Sequence, residues 1–400
     1  MVKKTIDNVN VNGKRVLVRV DFNVPIDADR NIIDETRIRL ALPTLWYLLE
    51  KGASLILMSH LGRPKGQVRL DLTLKPIANR LHQLLGTSVQ ITPDCQSDVT
   101  KRMVASLKPR QVLLLENLRF HPEEEENDVG FSRILASFAD IYVNDAFGVV
   151  HRAHASTEGV TRYVQEAVSG YLLEKELKYL QDTLAEPQRP FVAILGGAKV
   201  SDKIHVIRNL MMKIDTLLVG GGMSYPFLKA QGYEVGDSLL REDDVDVARD
   251  LLKEARLSGK ELLLPVDVVV ANRITSDAET QIVAINCMPK GLQGLDIGPK
   301  TRELFANRIA TAGTVVWNGP LGVCEVEPFA EGTRSMVQSL KQAGSESGTI
   351  TIVGGGDTAA AVNLIGFTDS MTHVSSGGGA SLDCLAGFPL PGVIALSDLK

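Results

Sequence analysis

At 400 residues the chain exceeds the size at which one hydrophobic core usually stops growing, so two domains are expected. With 44% hydrophobic residues, 23% charged residues and a net charge of −5, it reads as a soluble globular protein, not a general nucleic-acid or membrane-surface binder. Four scattered cysteines require neither a disulfide framework nor a zinc site. The polar opening MVKKTIDNVNVNG and the lack of any transmembrane-length apolar run point to a cytoplasmic chain.

In chain order, Arg15–Val20 (RVLVRV) reads as a strand breaking into DFNVP. The polar run 27–31 is a loop, and Thr36–Glu50 an expected helix in spite of Pro43. A second strand, SLILMS over 54–59, ends in HLGRPKG, and the interval fits one βαβ crossover. A helix over 76–85, a short strand near Val89 and a strand over 111–115 running into ENLRFH follow. The acidic cluster 123–128 reads as a solvated loop, 131–138 as a helix, and 141–143 as a strand ending in NDAFG and HRAHAS. Strands in this half run into polar segments that carry Arg19, Arg37, His60, Arg63, Arg119, His151, Arg152 and His154. Taken singly, each is an ordinary surface residue. Grouped around one crevice, planar guanidinium forks imply a small ligand with more than one negative group. Asp21 and Asn23 stand to orient those arginines or to accept from a ligand hydroxyl, or else to cap a loop.

Between residues 171 and 184, Leu173, Leu177, Leu180 and Leu184 keep helical spacing until Pro187 and Pro190, and the domain junction is expected here. The stretch FVAILGGAKVSDKIHV (191–206) follows as strand, glycines and helix, with Lys199 and Lys203 four apart on one helix face. Its spacing is not that of the GxxxxGK[ST] phosphate loop. Beyond it, 214–219 reads as a strand and 245–258 as an amphipathic segment. ELLLPVDVVV and QIVAI form a strand region with a turn; TVVWNGPLG is strand then tight turn, with Trp317 in the core. Glycine runs after apolar runs at 196–197, 220–222, 354–356 and 377–379 suggest strand ends of a doubly wound parallel sheet converging on a crevice. Gly355, Gly356, Asp357 and Thr358 open a helix whose N–H groups favour phosphate. A carboxylate there is either a Mg²⁺ partner or a helix cap. Glu325 either holds a ribose hydroxyl or faces water. The leading class is phosphoryl transfer. A dinucleotide dehydrogenase is a rival that lacks a placed GxGxxG, and a non-catalytic nucleotide sensor is another.

Ten blocks in order then carry a resemblance: RVDFNVP, TRIRLALPT, SHLGRP, LLLENLRFHPEEE, NDAFGVVHRAHAS, LGGAKVSDKI, GLDIGP, VWNGPLGVCE, GGGDTAAA and SSGGGASLD. Over its full length the chain resembles the phosphoglycerate kinases of bacterial type. The resemblance implies an α/β fold of two Rossmann-like lobes, parallel sheets flanked by helices, separated by a cleft. Residues 1–172 would bind 3-phosphoglycerate, completed by a C-terminal tail from about 388, and 173–387 would bind nucleotide, with the interdomain helix at its start. It also implies a cytoplasmic monomer using ATP or ADP with Mg²⁺, and no nucleic-acid or membrane partner. Carried over residue by residue, the substrate site is Asp21, Phe22, Asn23, Arg37, His60, Leu61, Gly62, Arg63, Arg119 and Arg152. The nucleotide site is Lys203, Gly294, Asn318, Pro320, Glu325, Gly355, Gly356, Asp357 and Thr358, with Asp357 on the metal. The catalytic set is Arg37, Lys199, Gly356 and Gly379. Two departures from the family pattern are slight: Cys324 replaces a larger apolar residue, and Glu126 stands where many relatives carry Lys.

Overall fold

A computed structural model describes residues 2–399. The chain divides into two compact units, one running to Lys178 and resuming at Pro389, the other spanning Tyr179–Phe388. The returning tail is tied into the first unit by a bridge between Lys3 and Asp398 and by Ser397 N donating to Ala167 O at 2.8 Å.

The first unit is built on β1 (Arg15–Val20), β2 (Ser54–Met58), β3 (Val89–Ile91), β4 (Val112–Leu114), β5 (Ile141–Asp145) and β6 (Glu166–Ser169). They form one parallel sheet in the order β3-β4-β2-β1-β5-β6. The central strands are buried on both faces, which is why they read as unbroken apolar runs and not as alternating ones. Strand order reverses between β1 and β5, and a ligand crevice is expected beyond the carboxyl ends of the strands at such a point.

The second unit repeats the plan with β7 (Phe191–Leu195), β8 (Thr216–Val219), β9 (Glu261–Leu263), β13 (Thr314–Asn318), β14 (Ile350–Gly354) and β15 (His373–Val374), ordered β15-β14-β13-β7-β8-β9. The reversal here lies between β7 and β13. A separate antiparallel sheet joins β10 (Asp267–Ala271), β11 (Gln281–Ala284) and β12 (Gln293–Ile297) in the order β11-β10-β12. The expected strand region ELLLPVDVVV is therefore split: β9 edges the parallel sheet and β10 starts the small one. Pro265 lies between them, where it cannot donate to a ladder.

Three local readings need correction. The acidic cluster is not simply a solvated loop, because Pro122–Glu125 forms a helical turn with Glu124 fully buried. The leucine-spaced run is helical over Tyr171–Leu177, but Lys178–Asp182 is a π-helical segment, and the unit boundary falls in it. Lys199 and Lys203 do not share a helix face. Gly197 takes φ +101°, and the helix Ile204–Met211 begins only after a 3-10 turn at Ser201–Lys203.

Candidate functional site

In the first unit, most of the expected substrate residues lie just beyond the carboxyl ends of β1, β2, β4 and β5; Arg37 lies on the helix after β1. Arg37 Nη1 donates to Asp21 Oδ2 at 2.5 Å, and Asp21 Oδ1 accepts the Asn23 N–H at 3.2 Å. Asn23 Oδ1 in turn accepts from Gly62 N at 2.9 Å, joining the loops after β1 and β2. Phe22 and Leu61 are buried; the Phe22 N–H goes to Ser59 Oγ, and the Leu61 carbonyl accepts from Asn117 Nδ2 at 2.8 Å. Arg119 is buried, donates from Nη1 to Gly62 O at 3.0 Å and pairs with Glu125. Arg63 and Arg152 are exposed.

This cluster concentrates positive charge on guanidinium groups and keeps it off imidazoles. His60 has its pKa pushed well below the ordinary histidine value, first by burial and then by Arg19, Arg119 and Arg37. His154 is pushed down to about 3 for the same reasons. Both rings are neutral at physiological pH. Arg19, grouped in the sequence with the anion-facing arginines, is fully buried and acts within the protein: Nε donates to Ser156 Oγ at 2.8 Å and Nη2 lies 3.1 Å from His60 Nδ1.

The second unit uses backbone where the first uses side chains. Lys203 Nζ donates to Gly196 O at 2.6 Å and Asn318 O at 3.2 Å, tying the loops after β7 and β13. Burial lowers its pKa to about 8, against the opposing pull of Asp357 and Asp202. Gly319 sits at φ +97°, and a Cβ there would lie 2.2 Å from Gly196 O and 2.5 Å from Lys203 Nζ, so only glycine fits. Its N–H donates to Thr358 Oγ1 at 2.7 Å, and the Pro320 carbonyl accepts from Gly197 N at 2.8 Å. Gly355, at φ +92°, would set a Cβ 2.7 Å from Asn318 Nδ2, a buried donor with no partner in the protein. The helix Gly356–Ile365 starts there with Asp357 exposed in its first turn. Gly379 opens the next helix, and Ser381 Oγ from that helix accepts the Gly355 N–H at 3.2 Å.

Lys199 stays on the exposed loop, its amine 3.9 Å from Asp202. Gly294 lies in β12, where a Cβ would strike Tyr225 Oη. Glu325 is exposed beside Cys324, whose thiol is pushed up to about 11 by burial and by Glu325, Asp357 and Asp296, and is therefore no nucleophile at neutral pH. Sequence reasoning missed the roles of Ser59, Asn117, Glu124 and Ser156, which position these loops, although all four lie inside the blocks that carry the resemblance. Glu124 was hidden in a run of like residues.

Fold and site together define a two-unit α/β protein that handles phosphate-bearing anions. The model of the phosphoglycerate kinase family matches residues 6–388. Curated phosphoglycerate kinases from Chloroherpeton thalassium and Moorella thermoacetica are 54% and 56% identical over 398 residues, covering 100% of both chains in each case. Among solved structures, phosphoglycerate kinase from Coxiella burnetii matches with a TM-score of 0.89 at 40% identity, and that from Pyrococcus horikoshii with 0.84 at 31%, each covering 98% of both chains. The chain belongs to the phosphoglycerate kinase family. Its activity is ATP-dependent phosphoryl transfer to 3-phosphoglycerate, a step of glycolysis. That decides against both the dehydrogenase and the non-catalytic sensor. Among the described residues no helix is long and apolar enough to cross a membrane.

Proposed function

We propose that the first unit binds 3-phosphoglycerate through Asp21, Asn23, Arg37, His60, Arg63, Arg119 and Arg152 with the backbone at Phe22, Leu61 and Gly62. The second unit binds ATP or ADP through Lys203, Gly294, Asn318, Pro320, Glu325 and Gly355–Thr358 (residues 355–358). The observation that carries this reading is the segregation of chemistry: guanidinium groups crowd one switch point, while positive-φ glycines, a lysine and an orphaned amide donor crowd the other. A compact acid with a phosphate and a carboxylate suits the first, and a polyphosphate lying along backbone N–H groups suits the second.

The acceptor is the substrate carboxylate, already ionised at neutral pH, so no general base is needed; the products are 1,3-bisphosphoglycerate and ADP. Catalysis is then positioning and charge stabilisation. Arg37, held by Asp21, clamps the carboxylate. Lys199 follows the moving phosphoryl group, which an exposed lysine on a loop is free to do. The N–H groups at Gly356 and Gly379 face its equatorial oxygens. Asp357 fits Mg²⁺, since this ion takes one or two carboxylates together with phosphate oxygens, and a single exposed carboxylate here stands at a phosphate-favouring helix start. When bound, Mg²⁺ supplies charge neutralisation on the phosphates. Ligands held by different units react only once brought together, and closing on them excludes water that would hydrolyse ATP or the acyl phosphate. We further infer a cytoplasmic monomer.

A coupled assay with ATP and 3-phosphoglycerate, run beside other small carboxylates, tests the reading. Small-angle scattering should give the smallest radius of gyration with both ligands present. Contraction with nucleotide alone, indifferent to 3-phosphoglycerate and without transfer, would overturn it.

A further inference from the structure

Beneath the arginine cluster runs a buried chain of hydrogen bonds whose direction is fixed by chemistry. Glu124 accepts the Ser156 N–H at Oε2 (3.0 Å) and the Ser156 hydroxyl at Oε1 (2.6 Å). The hydroxyl proton therefore points to the carboxylate, leaving Ser156 Oγ to accept from Arg19 Nε at 2.8 Å. Nη1 of the same guanidinium donates to Val20 O, and Nη2 reaches His60 Nδ1 at 3.1 Å. Arginine can only donate, so His60 Nδ1 must accept and the ring proton must sit on Nε2. Arg19, Glu124 and Ser156 have no solvent exposure, and His60 has 2%. Water is thus in no position to substitute for a missing link.

We propose that Glu124 is a positioning residue for substrate binding: through Ser156 it holds Arg19 in the one orientation that keeps His60 in its Nε2–H tautomer, a neutral donor to the acid's oxygens. The proposal rests on the reading that His60 lines the 3-phosphoglycerate site. Glu124 also clamps the loop itself, its backbone carbonyl accepting from Ala155 N at 2.9 Å. Burial raises its pKa, while Arg19, the two bonds from Ser156 and Arg119 pull the other way and favour the carboxylate. A glutamine at this position cannot accept at both oxygens, so one of the two bonds to Ser156 is lost and the guanidinium is no longer fixed.

The test is nitrogen-detected NMR of the full chain labelled at its seven histidines, with His60 assigned by His60→Gln. Wild-type protein should give an imine-type Nδ1 and a pyrrole-type Nε2 for His60. Glu124→Gln should give mixed tautomers and raise KM for 3-phosphoglycerate about tenfold, the size of one lost charge-assisted hydrogen bond, with KM for ATP unchanged. Ser156→Ala cuts the same chain at its middle and should do likewise; it decides the matter if Glu124→Gln fails to fold. An Nδ1–H ring in the wild type would overturn the proposal. So would a pure Nε2–H ring retained in the variants, whatever happens to KM, or a changed tautomer with KM for 3-phosphoglycerate unaltered. Should 3-phosphoglycerate leave the His60 resonances of the wild type unmoved, the substrate-site reading fails instead, while the tautomer result stands by itself.

Discussion

The two units share a sheet plan and differ in how they store positive potential. The first places guanidinium groups inside the protein, where desolvation and mutual repulsion are costly, and offsets them with Glu124, Glu125 and Asp21. The second relies on backbone N–H groups freed by glycine geometry and adds a lysine on a flexible stem. Side-chain forks recognise one compact acid with defined oxygens, whereas backbone groups follow a chain of phosphates. The lesson is that the first unit should fail by loss of charge and the second by loss of space.

The largest effect should come from filling that space. Gly319→Ala places a methyl group 2.2 Å from Gly196 O at a left-handed backbone position, and should destabilise the second unit by about 2–4 kcal/mol. Thermal unfolding followed by fluorescence of the buried Trp317 would report it, since Trp317 Nε1 donates to Gly319 O at 2.8 Å. An unchanged melting temperature would remove space as the limiting quantity there.

A smaller effect, of the same sense in the two units but in different pH windows, should come from pH. His154 has a folded pKa of about 3 against an ordinary 6.5, so the unfolded chain binds the extra proton between those values. Its contribution to stability is complete above about 6.5 and is lost as pH falls toward 3, and His60 acts in the same direction. Lys203, lowered to about 8 from 10.5, favours folding as pH rises through that interval, because the folded state has shed a proton the unfolded state keeps. The same loss of charge weakens phosphate binding. Above pH 8, KM for ATP should therefore climb while that for 3-phosphoglycerate holds, in initial-rate measurements from pH 7 to 9.5. Parallel rises in both would separate Lys203 from the nucleotide.

The contrast also governs what could be read from the sequence. Strands such as FVAIL are buried on both faces, so the apolar run itself announces them, and the glycine runs announce the turns that follow. The arginine and histidine candidates were visible because they end strands. What stayed hidden was set by distant contacts. Glu124 is buried by Ser156, 32 residues away, and nothing in a run of four glutamates distinguishes it from its more accessible neighbours. Arg19 reads as one more surface cation until Ser156 and His60 are seen around it. The spacing of Lys199 and Lys203 suggested one helix face because periodicity presumes that the helix has already begun; Gly197 postpones it. The antiparallel sheet was obscured because pairing partners 11 or more residues apart leave no local mark.

The division of labour between the units is most directly tested by calorimetric titration of each ligand separately into wild-type protein, Arg37→Ala and Lys203→Ala. Arg37→Ala should lose affinity for 3-phosphoglycerate by about 10–100-fold and bind MgADP as the wild type does, while Lys203→Ala should show the reverse. Equal weakening of both ligands by either substitution would contradict separate sites on separate units.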